Sequence, residues 1–448
     1  MAMVTPFAAY RYDAQKVGGL ENVLTQPYDK IPPEMQRNYL RRSPYNLAHI
    51  VKGVAREGDS AADNVYVRAN DYFREWCEQG ILAQRPAPAF YAYFQQFSPP
   101  APLAQATVLR KSFIGLGRLE EYDRGVVFRH EQTLSAPKAD RLELLRATRA
   151  HFEQIFMLYS DPERRIDRML DEAAAQPPWA RVEDEYGVVH MLWDVKEAQQ
   201  IQAIQQLLRD KTLIIADGHH RYETALQFQR ECQAQRPHPE LSDCCFVPMS
   251  FVNMDSEGLV VLPTHRLVSG LANWTAEAFL ARAARFFEVR EYAFSQATGW
   301  EAAMEKLQAE MAARAGGGAA AIGAVFQDKA AFCLMQLRES VPLEEILPDL
   351  SPAERSLDVT ILHRIAFALC LGMDEESIRE EKYLTYVREF REGAASVMAG
   401  KAQACFFLNP VQVSQVREIA LQGRSLPQKS TDFYPKLLSG LAIHRVES

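Results

Sequence analysis

The chain has 448 residues, enough for two or three domains with a sizeable core. Hydrophobic residues make up 48% and charged residues 24%, an ordinary globular composition, and no run of about 18 apolar residues offers a membrane span. A formal net charge of −8 argues against a protein whose main task is to hold nucleic acid by its phosphates.

From the N-terminus, Met1 to Tyr10 shows no charged region followed by an apolar one, so no standard secretion signal is expected. Leu20 to Ile31 contains the turn-rich Thr25-Gln26-Pro27-Tyr28-Asp29, and Pro32-Pro33 keeps a helix from running through it. Ala62 to Gln79 has helical spacing, and Phe90 to Phe97 alternates as a strand. Ser98-Pro99-Pro100-Ala101-Pro102 is expected to be a loop, with a strand over Thr107 to Leu116. A helix is expected in the segment from Pro137, ahead of an Ile155 to Tyr159 strand, and another over Glu197 to Arg209. A strand, Thr212 to Ile215, a helix, Tyr222 to Arg230, and a strand, Phe246 to Met254, then succeed one another in an α/β manner.

Beyond Leu267 the expected elements are helices over Ala272 to Phe287 and Glu301 to Ala313 and a turn at Gly316-Gly317-Gly318. A strand over Ala320 to Phe326, a helix over Leu357 to Leu371, a strand over Ala404 to Leu408 and a helix over Val411 to Leu421 follow. We place a soft boundary near residue 270, dividing an N-terminal α/β domain (1–270) from a C-terminal α/β domain (271–448) whose tail is expected to return to the site. No internal repeat is found. The seven cysteines are odd in number and form no CxxC pair, a reducing-compartment pattern that points to a cytoplasmic protein.

The most informative stretch is Asp217-Gly218-His219-His220-Arg221, which falls at a strand-to-helix turn. The first N–H groups of a helix have no partner within it and carry partial positive charge, so an anion is attracted there. Gly218 would let the backbone approach a phosphate closely, and Arg221 would add a bidentate fork. The plainer alternatives are an Asp217 helix cap with surface histidines, or a metal site, for which no carboxylate or cysteine stands at conventional zinc spacing.

Two further groups carry chemistry. His130-Glu131-Gln132-Thr133 and Pro137-Lys138-Ala139-Asp140-Arg141 put a base, acids and two cations on what should be one loop and a helix start, or else form a solvated loop. Lys429-Ser430-Thr431 sets a lysine beside hydroxyls, which suits phosphate or magnesium contacts, although it lacks the glycines of a Walker A loop. Asp29 and His49 lie in polar N-terminal clusters that gain weight only by company.

Together, Ala216 to Ala225, His130 to Thr133 with Pro137 to Arg141, Pro427 to Thr431 with Tyr434-Pro435-Lys436, Pro27-Tyr28-Asp29 and Leu262-Pro263-Thr264-His265-Arg266 resemble the domain-of-unknown-function 1015 family of bacteria and archaea. The resemblance covers nearly the whole chain. Lys30 and Leu426 depart from it, where an apolar residue and a methionine would be expected. Gly218-His219-His220-Arg221 is also similar to the Gly-x-x-Arg box of the ParB and sulfiredoxin superfamily, which includes free serine kinases and holds nucleotide phosphates at a helix N-terminus. That likeness implies a ParB/sulfiredoxin-like nucleotide-binding core and phosphate contacts for Gly218, His219, His220 and Arg221.

The expectation is therefore a nucleotide-dependent phosphotransferase acting on a small hydroxylated metabolite, free serine being one, with ATP or ADP and Mg2+. Phosphate would fall to Gly218, His219, His220, Arg221, Lys138, Arg141, Lys429, Ser430 and Thr431. Asp217, Glu131, His130 or Asp29 would serve as base or, for the acids, magnesium ligand. The alternative is a nucleotide-binding regulatory protein without catalysis. DNA binding in the manner of ParB suits neither the acidic balance nor the absence of a clear helix-turn-helix. Arg221→Ala is expected to weaken nucleotide affinity and leave the fold intact.

Overall fold

Phe90, Ala92 and Phe94 fall on one face of an eight-residue strand and Tyr91, Tyr93 and Gln95 on the other, and this alternation organises the largest sheet of the molecule. The structure is a computed structural model that describes residues 1–100, 106–131, 136–235, 242–295, 297, 299–315 and 319–447. The loop expected over residues 98–102 lies in part, and the glycine turn at 316–318 wholly, outside the described residues, as do Gln132 and Thr133. The chain divides into two compact units, one of Met1–Arg129, Thr133–Val260 and Phe433–Ser448, the other of His130–Gln132 and Val261–Asp432.

In the first unit nine strands share a sheet: β1 Val4–Thr5, β2 Phe90–Phe97, β3 Val108–Arg118, β4 Val127–Arg129, β5 Ile155–Tyr159, β6 Ala180–Glu183, β7 Val189–Val195, β8 Leu213–Asp217 and β9 Phe246–Asn253. Their order is β4-β8-β5-β9-β3-β2-β7-β6, with β1 on β3. Only β4 with β8 and β5 with β9 run parallel; the other pairs are antiparallel, so the sheet is mixed. The strand, helix and strand around the histidine turn are thus not a parallel βαβ unit: β8 and β9 lie on either side of β5, which runs antiparallel to β8 and parallel to β9. Hydrophobic periodicity carries no information about strand direction.

One face of this sheet is apolar. Phe90, Phe113, Met157, Ile215 and Phe251 pack with stripes from helices that follow the strands: α3 Arg165–Ala173 gives Ile166 and Leu170, α4 Ala198–Arg209 gives Ile204 and Leu208, and α5 His219–Gln235 gives Tyr222, Ala225 and Leu226. Here α1 is Val65–Glu78 and α2 is Ala136–Thr148. The opposite face buries polar side chains instead, among them Tyr93, Gln95, Arg110, Ser112 and His190. Buried polar groups need partners, and the C-terminal segment supplies several. Gln95 donates to the Lys436 carbonyl at 2.9 Å, and Arg110 donates to the carbonyls of Tyr434 and Pro435 at 3.0 and 2.5 Å. The tail is a structural part of this sheet.

The second unit has a six-stranded, wholly antiparallel sheet built from β10 His265–Val268, β11 Phe287–Ala293, β12 Ala321–Phe326, β13 Ala331–Leu337, β14 Leu384–Val387 and β15 Ala404–Phe407, in the order β11-β13-β12-β15-β10-β14. One face meets α7 Glu301–Arg314 through Ala303, Met304, Leu307 and Met311, and α9 Phe390–Met398 through Phe390, Ala394 and Val397. The other face carries Phe406, against which Phe279 of α6 Ala276–Ala283 and Phe367 of the π-helical α8 Leu362–Leu371 make edge contacts. A final helix, α10, spans Val413–Leu421. The helix expected over 272–287 stops at Ala283, and Phe287 begins β11, because Phe287 pairs with Leu337 of β13 rather than extending the helical stripe. Among the described residues no helix is long and apolar enough to cross a membrane.

Candidate functional site

β8 ends at Asp217, and its register on β5 shifts between Ile215 and Asp217, an irregularity that re-aims the side chain at the strand end. Gly218 follows with φ of +91°, a left-handed conformation that disfavours any side chain. A Cβ there would also lie 3.0 Å from the Arg221 guanidinium. Glycine is therefore required by the turn and by the arginine folded over it. α5 then opens at His219, and Tyr222 ties its first turn down: the hydroxyl donates to the Glu120 carbonyl at 2.8 Å and accepts the Glu120 N–H at 2.9 Å.

Asp217 is the hub of a charge cluster. Its Oδ2 accepts from Arg221 Nη2 at 2.9 Å and its Oδ1 from Lys436 Nζ at 3.2 Å. Burial pushes the Asp217 carboxyl up, but Lys436, Arg221 and Lys30 overcome this and hold it well below the usual carboxylate range. Around Arg221 burial acts against the charge, while Glu153, Asp217 and Asp29 raise its affinity for the proton. Glu153 accepts the Tyr28 N–H at 2.9 Å and the Ser439 hydroxyl at 3.0 Å, so it joins the Pro27-Tyr28-Asp29 turn to the tail. Arg141, from α2, lies over the Tyr28 ring at 4.1 Å and donates to the Val51 carbonyl at 2.9 Å. A small cavity of about 50 Å³ borders Arg141, Glu153, Arg221 and Thr224.

Several sequence expectations meet in this unit and others do not. Asp29, Arg141, Asp217, Gly218 and Arg221 come together, with Asp29 exposed and Asp217, Gly218, His219 and His220 each partly exposed. Lys138 is ion-paired with Glu223 within the same unit. Arg221 is not the free fork expected of it: Nη1 donates to the Gln154 carbonyl at 2.6 Å and Nη2 to Asp217, so the guanidinium organises the cluster. Sequence pattern assigns no role to Glu153 or Arg110, and marks Lys436 only as part of the Tyr434-Pro435-Lys436 family motif. Arg110 did leave a signal, a charged side chain inside an apolar strand, and it is fully buried; burial lowers its guanidinium to about 10.

His130, Glu131, Lys429, Ser430 and Thr431 group in the second unit. His130 Nε2 lies 2.6 Å from the Thr431 hydroxyl, which also approaches Glu131 Oε2 at 3.4 Å. Glu131 Oε1 accepts the Lys429 N–H at 2.5 Å, the Leu426 N–H donates to the His130 carbonyl at 2.7 Å, and Ser430 donates to the Pro427 carbonyl at 2.5 Å. Arg266 is fully buried beside them and donates to the Lys429 carbonyl at 2.9 Å. The expected single loop from His130 to Arg141 is thus split, with His130 and Glu131 in one unit and Lys138 and Arg141 in the other.

The fold and the charge cluster define a mixed α/β protein whose largest sheet carries a buried polar face. Residues 4–360 match the family described as "Protein of unknown function (DUF1015)", and the chain belongs to that family. No curated protein matches it. Among solved structures, a conserved hypothetical protein from Pyrococcus furiosus is 12% identical, covering 68% of this chain and 86% of that chain, with a TM-score of 0.32. A free serine kinase in complex with AMP is 12% identical, covering 72% of this chain and 88% of that chain, with a TM-score of 0.35. SbnI with C-terminal truncation from Staphylococcus aureus is 10% identical over 72% of this chain and 85% of its own, with a TM-score of 0.33. At TM-scores this low these likenesses establish neither the fold nor the function of this chain.

Proposed function

We propose that the chain is a nucleotide-dependent phosphotransferase acting on a small hydroxylated metabolite, free serine among the acceptors, with ATP or ADP as donor. The observation that carries the reading is the Asp217 cluster, in which Lys436 and Arg221 converge on a carboxylate at a strand-to-helix turn beside Lys30 and the exposed Asp29. Phosphoryl transfer needs cations around the migrating group and a carboxylate or imidazole to accept the alcohol proton. A carboxylate held as strongly ionised as Asp217 is a weak base, so its role is to position Lys436 and Arg221. Asp29, exposed at the same cluster, is the proton acceptor. Phosphate would lie along Gly218, His219 and His220, where α5 begins. The likeness of this box to the Gly-x-x-Arg box supports a ParB/sulfiredoxin-like core.

His130 and Glu131 are assigned no step, because they hold Lys429 and Thr431 within their own unit. Among the described residues no three of His, Cys, Asp and Glu converge as a metal-holding group. Magnesium therefore enters the reading only as a companion of the nucleotide's own phosphates, the way that ion is commonly carried. The cysteine pattern supports a cytoplasmic setting.

The test is to incubate the full chain with ATP or ADP, Mg2+ and a panel of amino and sugar alcohols including L-serine, following phosphorus resonances. A new phosphomonoester is expected with at least one acceptor, and Asp29→Asn is expected to lower turnover at least 100-fold with nucleotide affinity kept. Nucleotide that binds and is released unchanged with every acceptor would instead favour a regulatory binding protein. No binding at all would end both readings.

A further inference from the structure

The second unit carries a partly open cavity of about 230 Å³ whose lining includes Arg314, Ala320, Ser356, Asp358, Asn409 and Gln412. It lies outside the Asp217 cluster, which belongs wholly to the first unit. Its volume falls short of the roughly 300–1,000 Å³ of pockets for drug-sized ligands.

Two opposite charges on its wall have spare bonding capacity. Asp358 accepts the Ala321 N–H at 3.3 Å through Oδ1 and the Asn409 side-chain amide at 3.4 Å through Oδ2, both long for hydrogen bonds; the Asn409 backbone N–H adds a third, and the carboxylate has no ion pair among the described residues. Neutral donors alone leave its charge uncompensated, and a charge withdrawn from water is destabilising unless it is paired. Burial pushes its carboxyl up to about 6. On Arg314, Nε donates to Gln336 Oε1 and Nη1 to the Glu310 carbonyl and to the Glu310 carboxylate, with which it is ion-paired, while Nη2 has no hydrogen-bond partner among the described residues and is the part of the guanidinium left for a ligand.

A purely anionic ligand would face repulsion from Asp358, and a purely cationic one from Arg314. A molecule with an ammonium at one end and a carboxylate at the other satisfies both, and the volume restricts it to the smallest such compounds. We propose that this cavity binds a small free amino acid, its ammonium on Asp358 and its carboxylate on Nη2 of Arg314.

Calorimetric titration of the full chain with glycine, L-alanine and L-serine, without nucleotide or magnesium, tests this. Saturable binding of at least one is expected, with none for acetate or methylammonium alone. Asp358→Asn should weaken it at least tenfold, and Asp217→Asn should leave the binding of glycine and L-alanine, which have no hydroxyl to phosphorylate, unchanged. Should Asp358→Asn fail to fold, Arg314→Met serves in its place with the same expected loss. No binding of any of the three, equal binding of acetate or methylammonium, or binding that survives the cavity variants would overturn the proposal. Binding lost in Asp217→Asn and kept in Asp358→Asn would also overturn it, placing the amino acid at the phosphotransfer cluster instead.

Discussion

Lys436 reaches across 219 positions of sequence to set its ammonium 3.2 Å from Asp217 Oδ1. Only 9% of the Lys436 side chain and 25% of the Asp217 side chain is exposed, so the pair is shielded more than a surface salt bridge. The two partners are not equivalent. Removing the lysine leaves Asp217 still paired with Arg221, whereas removing the carboxylate takes an anion from both cations at once. Asp217→Asn should therefore lower stability by about 3 kcal/mol, the lower end of the range for breaking a buried pair. Lys436→Met should lower it by about 1 kcal/mol. Urea unfolding of the two variants checks the ordering, and equal losses would show that the asymmetry is absent.

Arg221→Ala gives a result different from the one its sequence position suggests. Since Nη1 holds the Gln154 carbonyl and Nη2 holds Asp217, truncation orphans a buried acceptor and removes one of the cations that keep Asp217 ionised. The variant should be destabilised by about 2–4 kcal/mol as well as weakened in nucleotide affinity. Arg221→Lys, which keeps the charge and loses the planar fork, should recover part of the affinity and little of the stability. A fully stable Arg221→Ala would mean that the guanidinium does not organise the turn.

What could be read from the sequence was local. The Phe90–Phe97 strand shows itself by alternation, α1 by the stripe of Val65, Ala69, Tyr72, Phe73 and Trp76, and the Asp217–His219 turn by a glycine between an apolar run and a polar helix start. Partners distant in the chain left no such mark. Nothing in the spacing of Glu153-Gln154 or of Tyr434-Pro435-Lys436 says that both meet Asp217 or Arg221. The direction of β8 against β5 and the split of the His130 to Arg141 segment between units are likewise set by tertiary pairing, which periodicity does not encode.

Arg110 offers a way to loosen the tail that carries Lys436. Its guanidinium donates to Gln95 Oε1 and to the carbonyls of Tyr434 and Pro435, and its charge lies 4.7 Å over the Phe156 ring. Arg110→Met keeps the apolar stem and deprives all three acceptors of their donor. The expected outcome is a loss of about 3 kcal/mol or more with faster amide exchange confined to residues 433–440, since those backbone groups are the ones released. Exchange that rises uniformly over the first unit would mean that the arginine supports the sheet as a whole and not the tail.

Acid stability should depend on the stacked pair His151 and His444, whose ring planes are 1° apart with centroids 6.1 Å apart. Burial first, and then the neighbouring imidazole, lowers His151 to about 3; burial lowers His444 to about 4, with Asp243 opposing it. Both lie below the unfolded value of about 6.5. Above pH 6.5 the rings are neutral in both states and contribute no pH dependence. As pH falls from 6.5 toward 4 the unfolded chain binds protons that the folded rings refuse, so stability falls by up to about 1.4 kcal/mol per pH unit for each histidine. Between pH 6.5 and 5 most carboxylates hardly titrate, but His49, His190, His265 and His363 are also held low by burial and Asp358 is raised to about 6, so the pair is read from the difference between the parent and the variant. Urea midpoints across that window should decline in the parent chain and decline less steeply in His444→Phe, which removes one of the two refusing rings. A flat profile in the parent, or the same slope in the variant, would show that these histidines accept protons in the folded state.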